Sequence, residues 1–406
     1  MTDHRHCILF VDDDPLILRG LRRSTEEYLD VWEVEFANSA TAALEQMAQQ
    51  SFDAIITDLL MPGINGIQLL DYVNQQYPGV LRFILSGNTD EAKTFLSTTL
   101  VHQIFPKPCK FEQIYETVEQ ACRLRDGLAD PNLIRAITGV RTLPSIPSHY
   151  QRLVQELQSQ EPDPRIIGDI VAQDPAMTAK TLQVANSAFF GLVEQISSPQ
   201  RAVAILGTNM VKTLVLGIHI FSEYQGSPSQ NAWLDALWHH SLFVSNLART
   251  VASDLRFSSR DVGEAQIAAI LHDVGKLLEI QISNLISQGS LLDRRLTIEN
   301  EYKLLGTTHA EMGAYLLGIW GLPSQIVQAV MLHHRPELQV TSQATILSAV
   351  HIANGLYHLC RSRSERPEIY LNLDYVKKVG AYEHLDEWIE LTNSWLERNI
   401  NSPFKR

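Results

Sequence analysis

Residues Ile55–Gly63 read Ile-Ile-Thr-Asp-Leu-Leu-Met-Pro-Gly, and this stretch decides how the first part of the chain is interpreted. A short β-branched run ends in the carboxylate of Asp58, and Pro62 and Gly63 then interrupt the chain. The pattern predicts a buried strand whose carboxyl end carries an acid. A single aspartate after one strand would more simply be a solvated turn residue, so its meaning depends on the residues that share its edge of the sheet.

Strand-like and helix-like patterns alternate five times before residue 125. Cys7–Val11 is a continuous apolar run, which is typical of a parallel strand covered on both faces. It ends in three aspartates, and Pro15 can occupy the first position of the helix that follows. The next predicted strand and helix pairs are Trp32–Ala37 with Ala40–Gln49, Ala54–Thr57 with Ile67–Tyr77, Arg82–Leu85 with Glu91–Thr99, and His102–Phe105 with Phe111–Arg123. Five such alternations predict an α/β fold with a doubly wound, five-stranded parallel sheet.

Four of the five predicted strands end in residues with useful chemistry, namely Asp12 and Asp13, Asp58, Ser86 and Lys107. In doubly wound sheets, ligands bind beyond the carboxyl ends of the strands, so these side chains are expected to meet there. Clustered carboxylates repel one another unless a cation is present, and Mg²⁺ prefers oxygen ligands of this kind. The sequence therefore predicts that Asp12, Asp13 and Asp58 hold Mg²⁺.

The same cluster predicts a phosphoacceptor. A carboxylate beside Mg²⁺ can attack phosphorus and form an aspartyl phosphate. Lys107 supplies a positive charge for the phosphoryl oxygens, and the Ser86 hydroxyl can donate a hydrogen bond to one of them. Taken singly, Lys107 would be a surface lysine and Ser86 a turn residue. Because both are expected at one sheet edge with Asp58, we assign Asp58 as the nucleophile and the other two as its assistants.

Four motifs in this part of the chain are Val-Asp-Asp-Asp at 11–14, Thr-Asp-Leu-Leu-Met-Pro-Gly at 57–63, Leu-Ser-Gly at 85–87 and Pro-Lys-Pro at 106–108. With them, residues 1–125 resemble a response-regulator receiver domain, which has a flavodoxin-like fold. The resemblance implies that a sensor histidine kinase phosphorylates Asp58, that Mg²⁺ is held mainly by Asp13 and Asp58, and that the Lys107–Pro108 peptide is cis. Receivers often carry an aromatic residue where this chain has Ile104, so a readout through an aromatic rotamer is not expected.

Composition narrows the class of protein. The 406 residues are enough for two or three domains, and 45% apolar with 19% charged residues is ordinary for a soluble globular chain. The net charge of −13 argues against broad nucleic-acid binding. The four cysteines show no paired spacing, no apolar stretch is long enough to span a bilayer, and a strand-like run starts soon after Met1. We expect a cytoplasmic protein without DNA binding or membrane insertion.

The pattern changes near residue 123. Arg123–Asp130 is polar and is followed by Pro131, which indicates a domain boundary or a linker helix. Beyond it, helical periodicity dominates and strand patterns disappear. We predict a receiver domain over 1–125, a linker or linker helix over 126–140, an all-α domain over 141–350 and a helical extension over 351–406 that caps it.

Histidines are concentrated in this helical half. Twelve of the fourteen follow residue 100, and imidazole suits several divalent transition metals. His272 and Asp273 are adjacent within a stretch that reads as one apolar helix, and a buried Asp273 needs a partner. Any one of these histidines would more simply be a hydrogen-bonded core residue, but together they predict a metal site or the remnant of one. The candidate ligands are His240, His272, Asp273, His309, His333 and His334.

The order of these histidines is similar to that in the HD superfamily of metal-dependent phosphohydrolases, which includes the HD-GYP cyclic di-GMP phosphodiesterases. Further motifs are Leu-Pro-Ser-Ile-Pro at 143–147, Asp-Pro-Ala-Met at 174–177, Ala-Asn-Ser-Ala-Phe-Phe-Gly at 185–191 and Trp-Gly-Leu-Pro at 320–323. Through them, residues 133–350 more specifically resemble the HDOD family of HD-related output domains. The resemblance implies an all-α, HD-related fold that commonly serves as a signalling output without demonstrated hydrolase activity.

Residues of the helical half support two different interpretations of its function. Lys276 and the six candidate ligands are all present, which favours a working metal site. Asn354, however, stands where the HD family is expected to have its last aspartate ligand, and no Gly-Tyr-Pro loop follows His334. A neutral amide is a weaker ligand and leaves the charge of a second metal uncompensated. Both a binding role and a catalytic role therefore remain open.

The first hypothesis is a response regulator of a two-component phosphorelay. Phosphorylation of Asp58 would bias a two-state receiver surface, and the predicted helix Phe111–Arg123 would pass the change to a helical domain that binds a signalling protein. A cyclic-di-GMP phosphodiesterase is a candidate partner, and homodimerisation through the receiver's fourth and fifth units is an option that the family offers. The second hypothesis is a phospho-regulated, metal-dependent HD-type phosphohydrolase acting on cyclic dinucleotides. A transcription factor is disfavoured because no basic recognition helix is present.

Overall fold

The computed structural model of the protein describes residues 5–87, 101–128, 130–140, 144–145, 147–157, 159, 161–186, 195–208, 211, 222–223, 227–282 and 297–400. The predicted helix Glu91–Thr99 and the motif residues 187–191 lie outside the described residues. Within the described ranges, no helix combines the length and the apolar character needed to cross a membrane.

Five parallel strands form the sheet of the receiver part, in the order β2-β1-β3-β4-β5. They are β1 (His6–Val11), β2 (Trp32–Ala37), β3 (Ala54–Asp58), β4 (Leu81–Ser86) and β5 (Gln103–Pro106). The predicted doubly wound sheet is confirmed, and every strand end lies within about one residue of its predicted position. The strand order reverses beside β1, so the carboxyl ends of β1 and β3 flank the switch point of the sheet. Val11 pairs with Thr57, which brings Asp12 and Asp58 to adjacent positions.

Alternate residues of the strands face opposite layers of helices. Ile8 and Phe10 belong to one hydrophobic core, whereas Leu9 and Val11 belong to another. The helices of this part are α1 (Pro15–Thr25), α2 (Ala40–Met47), α3 (Gly66–Gln76) and α4 (Phe111–Asp126). The predicted role of Pro15 in the first turn of α1 is confirmed, because the Asp14 side chain caps this helix directly before it.

The second half is helical, as predicted, and the described residues show one departure: Pro144–Ser145 pairs in parallel with Ser222–Glu223. Several helices start with a proline directly after a side-chain cap, as at Asp163 and Ser227. The α-helices are α5 (Pro131–Thr138), α6 (Pro147–Leu157), α7 (Pro164–Val171), α8 (Pro175–Asn186), α9 (Pro199–Leu206), α10 (Pro228–Asp254), α11 (Ser259–Leu271), α12 (Val274–Ile282), α13 (Ile298–Leu305), α14 (His309–Ile319), α15 (Ser324–Leu332), α16 (Ile346–Ser362), α17 (Leu373–Lys378) and α18 (Leu385–Ile400).

The helix expected to contain His272 and Asp273 is interrupted at these residues. Because α11 ends at Leu271 and α12 begins at Val274, both side chains lie in the bend between two helices. The prediction of one continuous helix is therefore wrong. The break coincides with a close approach to α14, because a Cβ on Gly275 would overlap the carbonyl of His309.

The receiver and helical parts share one hydrophobic core, which contains Val118 of α4 and Leu316 of α14. Helix α4 lies along α14, and a Cβ on Gly318 would overlap the side chain of Leu124. The predicted linker helix is present as α5, and its Ile137 is fully buried in the same core. Segment 130–138 is therefore a packed element and does not act as a free tether.

The predicted start of the C-terminal extension at residue 351 lies inside α16, which runs unbroken from Ile346 to Ser362, and the segment after α16 packs on the helical half. Trp388 of α18 is fully buried, and its Nε1 donates to Asp254 Oδ2 at 2.8 Å. The hydroxyl oxygens of Tyr375 in α17 and Ser348 in α16 lie 2.7 Å apart. These contacts attach α17 and α18 to the ends of the long helices α16 and α10.

Glu119 of α4 connects this helix to the sheet. Its carboxylate is buried and binds His6 Nδ1 at 2.9 Å, Trp32 Nε1 at 2.8 Å and Arg123 Nε at 2.5 Å. Burial alone would raise the pKa of Glu119, but these donors outweigh it and lower the pKa to about 2. Glu119 therefore stabilises the fold fully above its ordinary pKa of 4.5, and this contribution is lost as the pH falls toward 2.

We expect Glu119→Gln to destabilise the protein by about 1–3 kcal/mol at neutral pH, because the amide loses the charge-assisted bonds to His6 and Arg123. Thermal unfolding followed by circular dichroism measures the loss, and the difference from wild type should shrink as the pH falls from 4.5 toward 2. Glu116→Gln changes an exposed acid of the same helix and should melt like the wild type. Equal melting temperatures for the two variants at pH 7 would contradict this role for Glu119.

Candidate phosphoacceptor site and candidate metal centre

The carboxyl ends of β1, β3 and β5 bring Asp12, Asp58 and Lys107 together. Lys107 Nζ lies 2.6 Å from Asp12 Oδ2 and also binds Asp58 Oδ1. The Leu60 amide donates to Asp58 Oδ2 at 2.7 Å, and the Asp14 amide donates to Asp12 Oδ1 at 2.9 Å. The Asp58 carboxylate is thus oriented by its own loop and by a lysine from another strand.

Burial and charge oppose each other in this cluster. Desolvation raises the pKa of Asp12, which is 2% exposed, and the hydrogen bond from Lys107 offsets only part of this effect. Burial alone would lower the pKa of Lys107, but its bonds to Asp12 and Asp58 outweigh burial and raise it. Lys107 therefore remains an ammonium group, and two largely buried carboxylates share its single positive charge.

Asp13 and Ser86 complete the predicted set. Asp13 is exposed beside Asp12, whereas Ser86 is buried at the end of β4, where its carbonyl oxygen accepts from the Lys107 amide at 2.8 Å. The Lys107–Pro108 peptide is cis, which confirms that prediction. Three carboxylates against one ammonium leave an excess of negative charge on oxygen donors, and this donor set fits Mg²⁺. Asp12, Asp13 and Asp58 would hold the ion, which would neutralise charge on an incoming phosphoryl group.

The six candidate ligands of the helical half meet at one centre. His240 comes from α10, His272 and Asp273 from the bend before α12, His309 from the first position of α14, and His333 and His334 from the residues directly after α15. Among the described residues, donor atoms within reach of one metal ion form two groups that share Asp273. One group adds His309, His333 and His334, and the other adds His240 and His272.

Asp273 Oδ1 faces the first group. It lies 3.1 Å from His309 Nε2 and 3.9 Å from His333 Nε2. His334 Nε2 lies 3.3 Å from His309 Nε2. These short separations between donor atoms are the arrangement expected of ligands around a single ion.

Asp273 Oδ2 faces the second group. It lies 2.7 Å from Lys276 Nζ and 3.5 Å from the Nε2 atoms of both His240 and His272. Burial alone would raise the pKa of Asp273, but the positive charge of Lys276 and the contact with His309 lower it well below its usual value. The carboxylate is thus ionised, and Lys276 already neutralises part of its charge.

The backbone sets the direction of two of these rings. His272 Nδ1 lies 2.7 Å from the Ala269 carbonyl oxygen, and His333 Nδ1 lies 2.7 Å from that of Val330. A carbonyl oxygen can only accept, so each Nδ1 carries the proton and each neutral ring presents the lone pair of Nε2 to the centre. This is the orientation that a metal-ligating histidine requires.

Glu301 is a functional candidate that the sequence did not reveal. It is 2% exposed, accepts from the His309 amide at 2.9 Å and binds His309 Nδ1 at 2.8 Å. Burial alone would lower the pKa of His309, but its bonds to Asp273 and Glu301 raise it to about 9. His309 is therefore a protonated bridge between two buried carboxylates. In the sequence, Glu301 reads as an ordinary acid in the first turn of a polar helix.

An unpartnered atom indicates that this centre accommodates a ligand. His333 is 1% exposed and its Nε2 has no hydrogen-bond partner among the described residues. A buried polar atom without a partner costs about 1–3 kcal/mol, so a bound group is expected to satisfy it. Converging imidazole nitrogens and one carboxylate fit a divalent transition metal, which would supply Lewis-acid chemistry when bound. Asp273, His309, His333 and His334 would be its ligands.

Helix α16 brings two further side chains toward the centre. Asn354 is 5% exposed and its Oδ1 has no hydrogen-bond partner among the described residues. His358, one turn later, was not among the predicted residues; its ring centroid lies 5.0 Å from that of His240. Burial lowers the pKa of His358 to about 4, so this ring is neutral. Neither side chain adds a negative charge to the centre.

Two family descriptions match the chain. The response regulator receiver domain matches residues 8–119, and the HDOD domain matches residues 143–336. The chain is a response regulator with an HDOD domain. In this response regulator, the receiver match contains all five candidate residues of the phosphoacceptor site, and the HDOD match contains all six candidate metal ligands. Helix α16, with Asn354 and His358, lies beyond the HDOD match.

Other proteins resemble parts of this response regulator. The hydrogenase transcriptional regulatory protein HoxA of Cupriavidus necator is 30% identical over 161 residues, which are 39% of this chain and 32% of that protein. An uncharacterized protein of Treponema pallidum is 24% identical over 253 residues, which are 59% of this chain and 45% of that protein. The chain thus spans about a third to just under half the length of these curated relatives.

Two solved structures are similar to parts of the chain. The MmoQ response regulator from Methylococcus capsulatus str. Bath is 20% identical, with a TM-score of 0.47, over 61% of this chain and 98% of that one. The signal receiver domain of an HD domain-containing protein from Pseudomonas fluorescens Pf-5 is 26% identical, with a TM-score of 0.29, over 30% of this chain and 98% of that one.

Asp273→Asn should weaken metal binding by about tenfold or more, because the amide keeps the shape but removes the carboxylate that both donor groups share. Metal content of the full-length protein after loading with Mn²⁺ or Zn²⁺ and dialysis, read by plasma mass spectrometry, measures the change. His239→Ala is the matched control, since His239 is exposed next to His240 and lies 3.5 Å from Asp235. Wild-type protein that retains no metal after dialysis would contradict the assignment of a metal site to this centre. Asp273→Asn protein that retains as much metal as the wild type would contradict the role of Asp273.

Proposed function

We propose that phosphorylation of Asp58 switches this response regulator and that its HDOD domain is an output module that acts by binding another protein. A sensor histidine kinase is the proposed phosphodonor, and Mg²⁺ is the proposed cofactor of the receiver. The observation that carries the proposal is the position of α14. This helix packs against α4 of the receiver, and its first residue, His309, belongs to the histidine centre. One helix therefore joins the two sites.

The first effect of phosphorylation falls on Lys107. A phosphoryl group adds a charge of about −1.5 to −2 at Asp58 and offers new oxygen acceptors. It competes with Asp12 for the Lys107 ammonium, and the Ser86 hydroxyl can donate to it. Lys107 directly follows β5, so its displacement moves the end of that strand. The buried side chain of Ile104 in β5 has no aromatic ring, which leaves the backbone of β5 as the carrier of the change.

Both β5 and α4 contact the helical half. The Gln103 side chain packs on Gly321, whose φ is +71°. A Cβ on this glycine would overlap the side-chain amide of Gln103. Gln103 Nε2 also donates to the Asn186 carbonyl oxygen at 3.5 Å. Leu124 of α4 occupies the space beside Gly318 of α14. Because close-packed elements have no free volume at such contacts, a small shift of β5 or α4 displaces α14.

The other end of α14 lies against the histidine centre. A Cβ on Gly275 would overlap the His309 carbonyl and would lie 2.9 Å from the Gly313 amide nitrogen, so α12 and α14 touch backbone to backbone. Asp273 immediately precedes α12. A displacement of α14 therefore changes the position of His309 relative to Asp273 and with it the surface around the centre.

Charge at the centre favours binding over hydrolysis. Within the described residues, Asp273 is the one carboxylate in the two donor groups, and Lys276 already pairs with it. Asn354 contributes an amide where an additional acid would be needed. A two-metal hydrolytic site requires carboxylates to bridge and neutralise its ions. We therefore assign a protein-binding role to the HDOD domain, with a cyclic-di-GMP phosphodiesterase as candidate partner because of the kinship with HD-GYP enzymes.

A metal-dependent phosphohydrolase is the second candidate function. The unpartnered His333 Nε2 next to Asp273 favours it, because this atom is free to ligate an ion. Hydrolysis of cyclic di-GMP that depends on Mn²⁺ and is lost in Asp273→Ala would establish this function in place of the first. Absence of turnover in metal-loaded wild-type protein would favour the binding role.

Acetyl phosphate with Mg²⁺ should add one phosphoryl group to the wild-type protein and none to Asp58→Asn, as read by intact mass. Asp30→Asn, which changes an exposed acid elsewhere on the receiver, should be modified like the wild type. Protein treated with beryllium fluoride as a phosphoryl mimic should then capture a set of proteins different from that captured by Asp58→Asn. Identical sets would count against phosphorylation-gated output.

Gly318→Leu should separate phosphorylation from output, because the new side chain takes the space that Leu124 occupies and moves α14 away from α4. We expect normal mass gain with acetyl phosphate and loss of the phosphorylation-dependent difference in captured proteins. Gly263→Leu is the matched control, since it also replaces a helical glycine but has open space around it. If both variants lose the phosphorylation-dependent difference in captured proteins, or if both keep it, α14 is not the link between the two sites.

A further inference from the structure

A cavity of about 620 Å³ opens beside the histidine centre. His333 and Asn354 form its floor, and the residues Glu337, Glu368, Asp374 and Lys377 form its rim. All four rim residues lie outside the part of the chain that matches the HDOD domain. The 3₁₀ turn Pro367–Ile369 and helix α17 bring three of them over the floor. The cavity is therefore built by the C-terminal extension together with α15 and α16.

The floor presents two hydrogen-bond acceptors without donors. Asn354 Oδ1 and His333 Nε2 have no partner among the described residues, and their side chains are at least nine-tenths buried. His333 Nδ1 is engaged with the Val330 carbonyl oxygen at 2.7 Å, so Nε2 of the neutral ring can only accept. Asn354 lines the cavity, and its neutral amide oxygen is a weaker metal ligand than a carboxylate. A donor group of a molecule bound in the cavity can satisfy this buried oxygen.

The rim adds further acceptors and a net negative charge. Its three carboxylates stand against one lining lysine. Arg366 Nε binds Glu368 Oε1 at 2.9 Å and neutralises that acid. Lys377 Nζ lies 5.1 Å from the centre of the Tyr382 ring, which holds this ammonium toward the aromatic face. Asp374 is exposed at the mouth of the cavity. The cavity thus presents two unpartnered acceptors on its floor and, at its rim, the carboxylates of Glu337 and Asp374 against the ammonium of Lys377.

We propose that this cavity binds a small organic cation with at least two amine or guanidinium groups, one donating to Asn354 and the other paired with Asp374 and Glu337. Its volume is in the range usual for small-ligand sites and far exceeds what a single metal ion needs. Phosphate esters carry the same sign of charge as the rim and are disfavoured there. The inference goes beyond the proposed function, because it does not depend on phosphorylation of Asp58 or on the partner of the HDOD domain.

Isothermal titration calorimetry of the full-length, unphosphorylated protein tests the proposal after metal has been removed with EDTA. The probe is agmatine, which carries one amine and one guanidinium group, and cyclic GMP is the anionic comparison. We expect saturable binding of agmatine at one site and no binding of cyclic GMP. Asp374→Asn and Asn354→Leu should each weaken agmatine binding by about tenfold, through loss of a charged or a buried hydrogen bond.

Two further variants sharpen the result. Lys377→Gln removes the lining cation and should strengthen agmatine binding. Asp386→Asn removes an exposed acid of α18 outside the cavity and should bind agmatine like the wild type. Melting curves show whether the Asn354→Leu variant is folded, since this position is buried. If it is not folded, the titration of Asp374→Asn, which changes an exposed residue, decides the result.

Several results would overturn the proposal. Absence of agmatine binding by the folded wild-type protein would do so, as would equal affinity in the wild type and Asp374→Asn. Binding of Zn²⁺ without binding of agmatine would assign the open space to the metal centre alone. Tighter binding of cyclic GMP than of agmatine would contradict the charge argument. Because the titration uses unphosphorylated protein, its failure and the failure of phosphorylation control are distinguishable.

Discussion

The bond of one lysine to two carboxylates is the constraint on which the receiver depends. Lys107 reaches Asp12 and Asp58 from a different strand and fixes the carboxyl ends of β1, β3 and β5 relative to one another. Without this ammonium the two largely buried acids would repel each other. The same ammonium can instead pair with a phosphoryl group on Asp58. In the proposed mechanism the cluster therefore has two charge arrangements, as a two-state signalling element requires.

In the proposed mechanism, the change travels beyond the cluster through packing and no longer through charge. At Gly318, Gly321 and Gly275 a single methyl group would overlap a neighbouring side chain or backbone. The C-terminal end of α14 and the turn after it are thus held against the receiver. The N-terminal end of α14 is held against α12. Such contacts tolerate small rigid displacements but no local adjustment. Under the proposal, a shift that begins at Lys107 would reach His309 as a movement of the whole helix.

Local sequence patterns were sufficient for the sheet and for naming the side chains that the fold brings together around Lys107 and around Asp273, because strand ends and short histidine motifs are visible in the sequence. The rest depends on contacts between distant segments. The bend at His272 and Asp273 coincides with the close approach of α12 to α14, and the pattern of apolar residues continues through it without a signal. Glu301 and Glu299 occupy the same first turn, yet the fold directs Glu301 to His309. No local pattern distinguishes these two acids, so Glu301 could not be predicted.

The two sites differ in how their charge is balanced. In the receiver, three carboxylates exceed one lysine, and a divalent ion would remove the imbalance. At the histidine centre, Asp273 and Glu301 are already balanced by Lys276 and by His309, whose pKa is raised to about 9. If His309 served as a metal ligand, its Nε2 would have to lose a proton, and the site would then carry positive charge that the neutral amide of Asn354 does not offset. A second metal would add to this excess, and two-metal hydrolysis depends on its neutralisation. This charge balance supports the proposed binding role of the HDOD domain over two-metal hydrolysis.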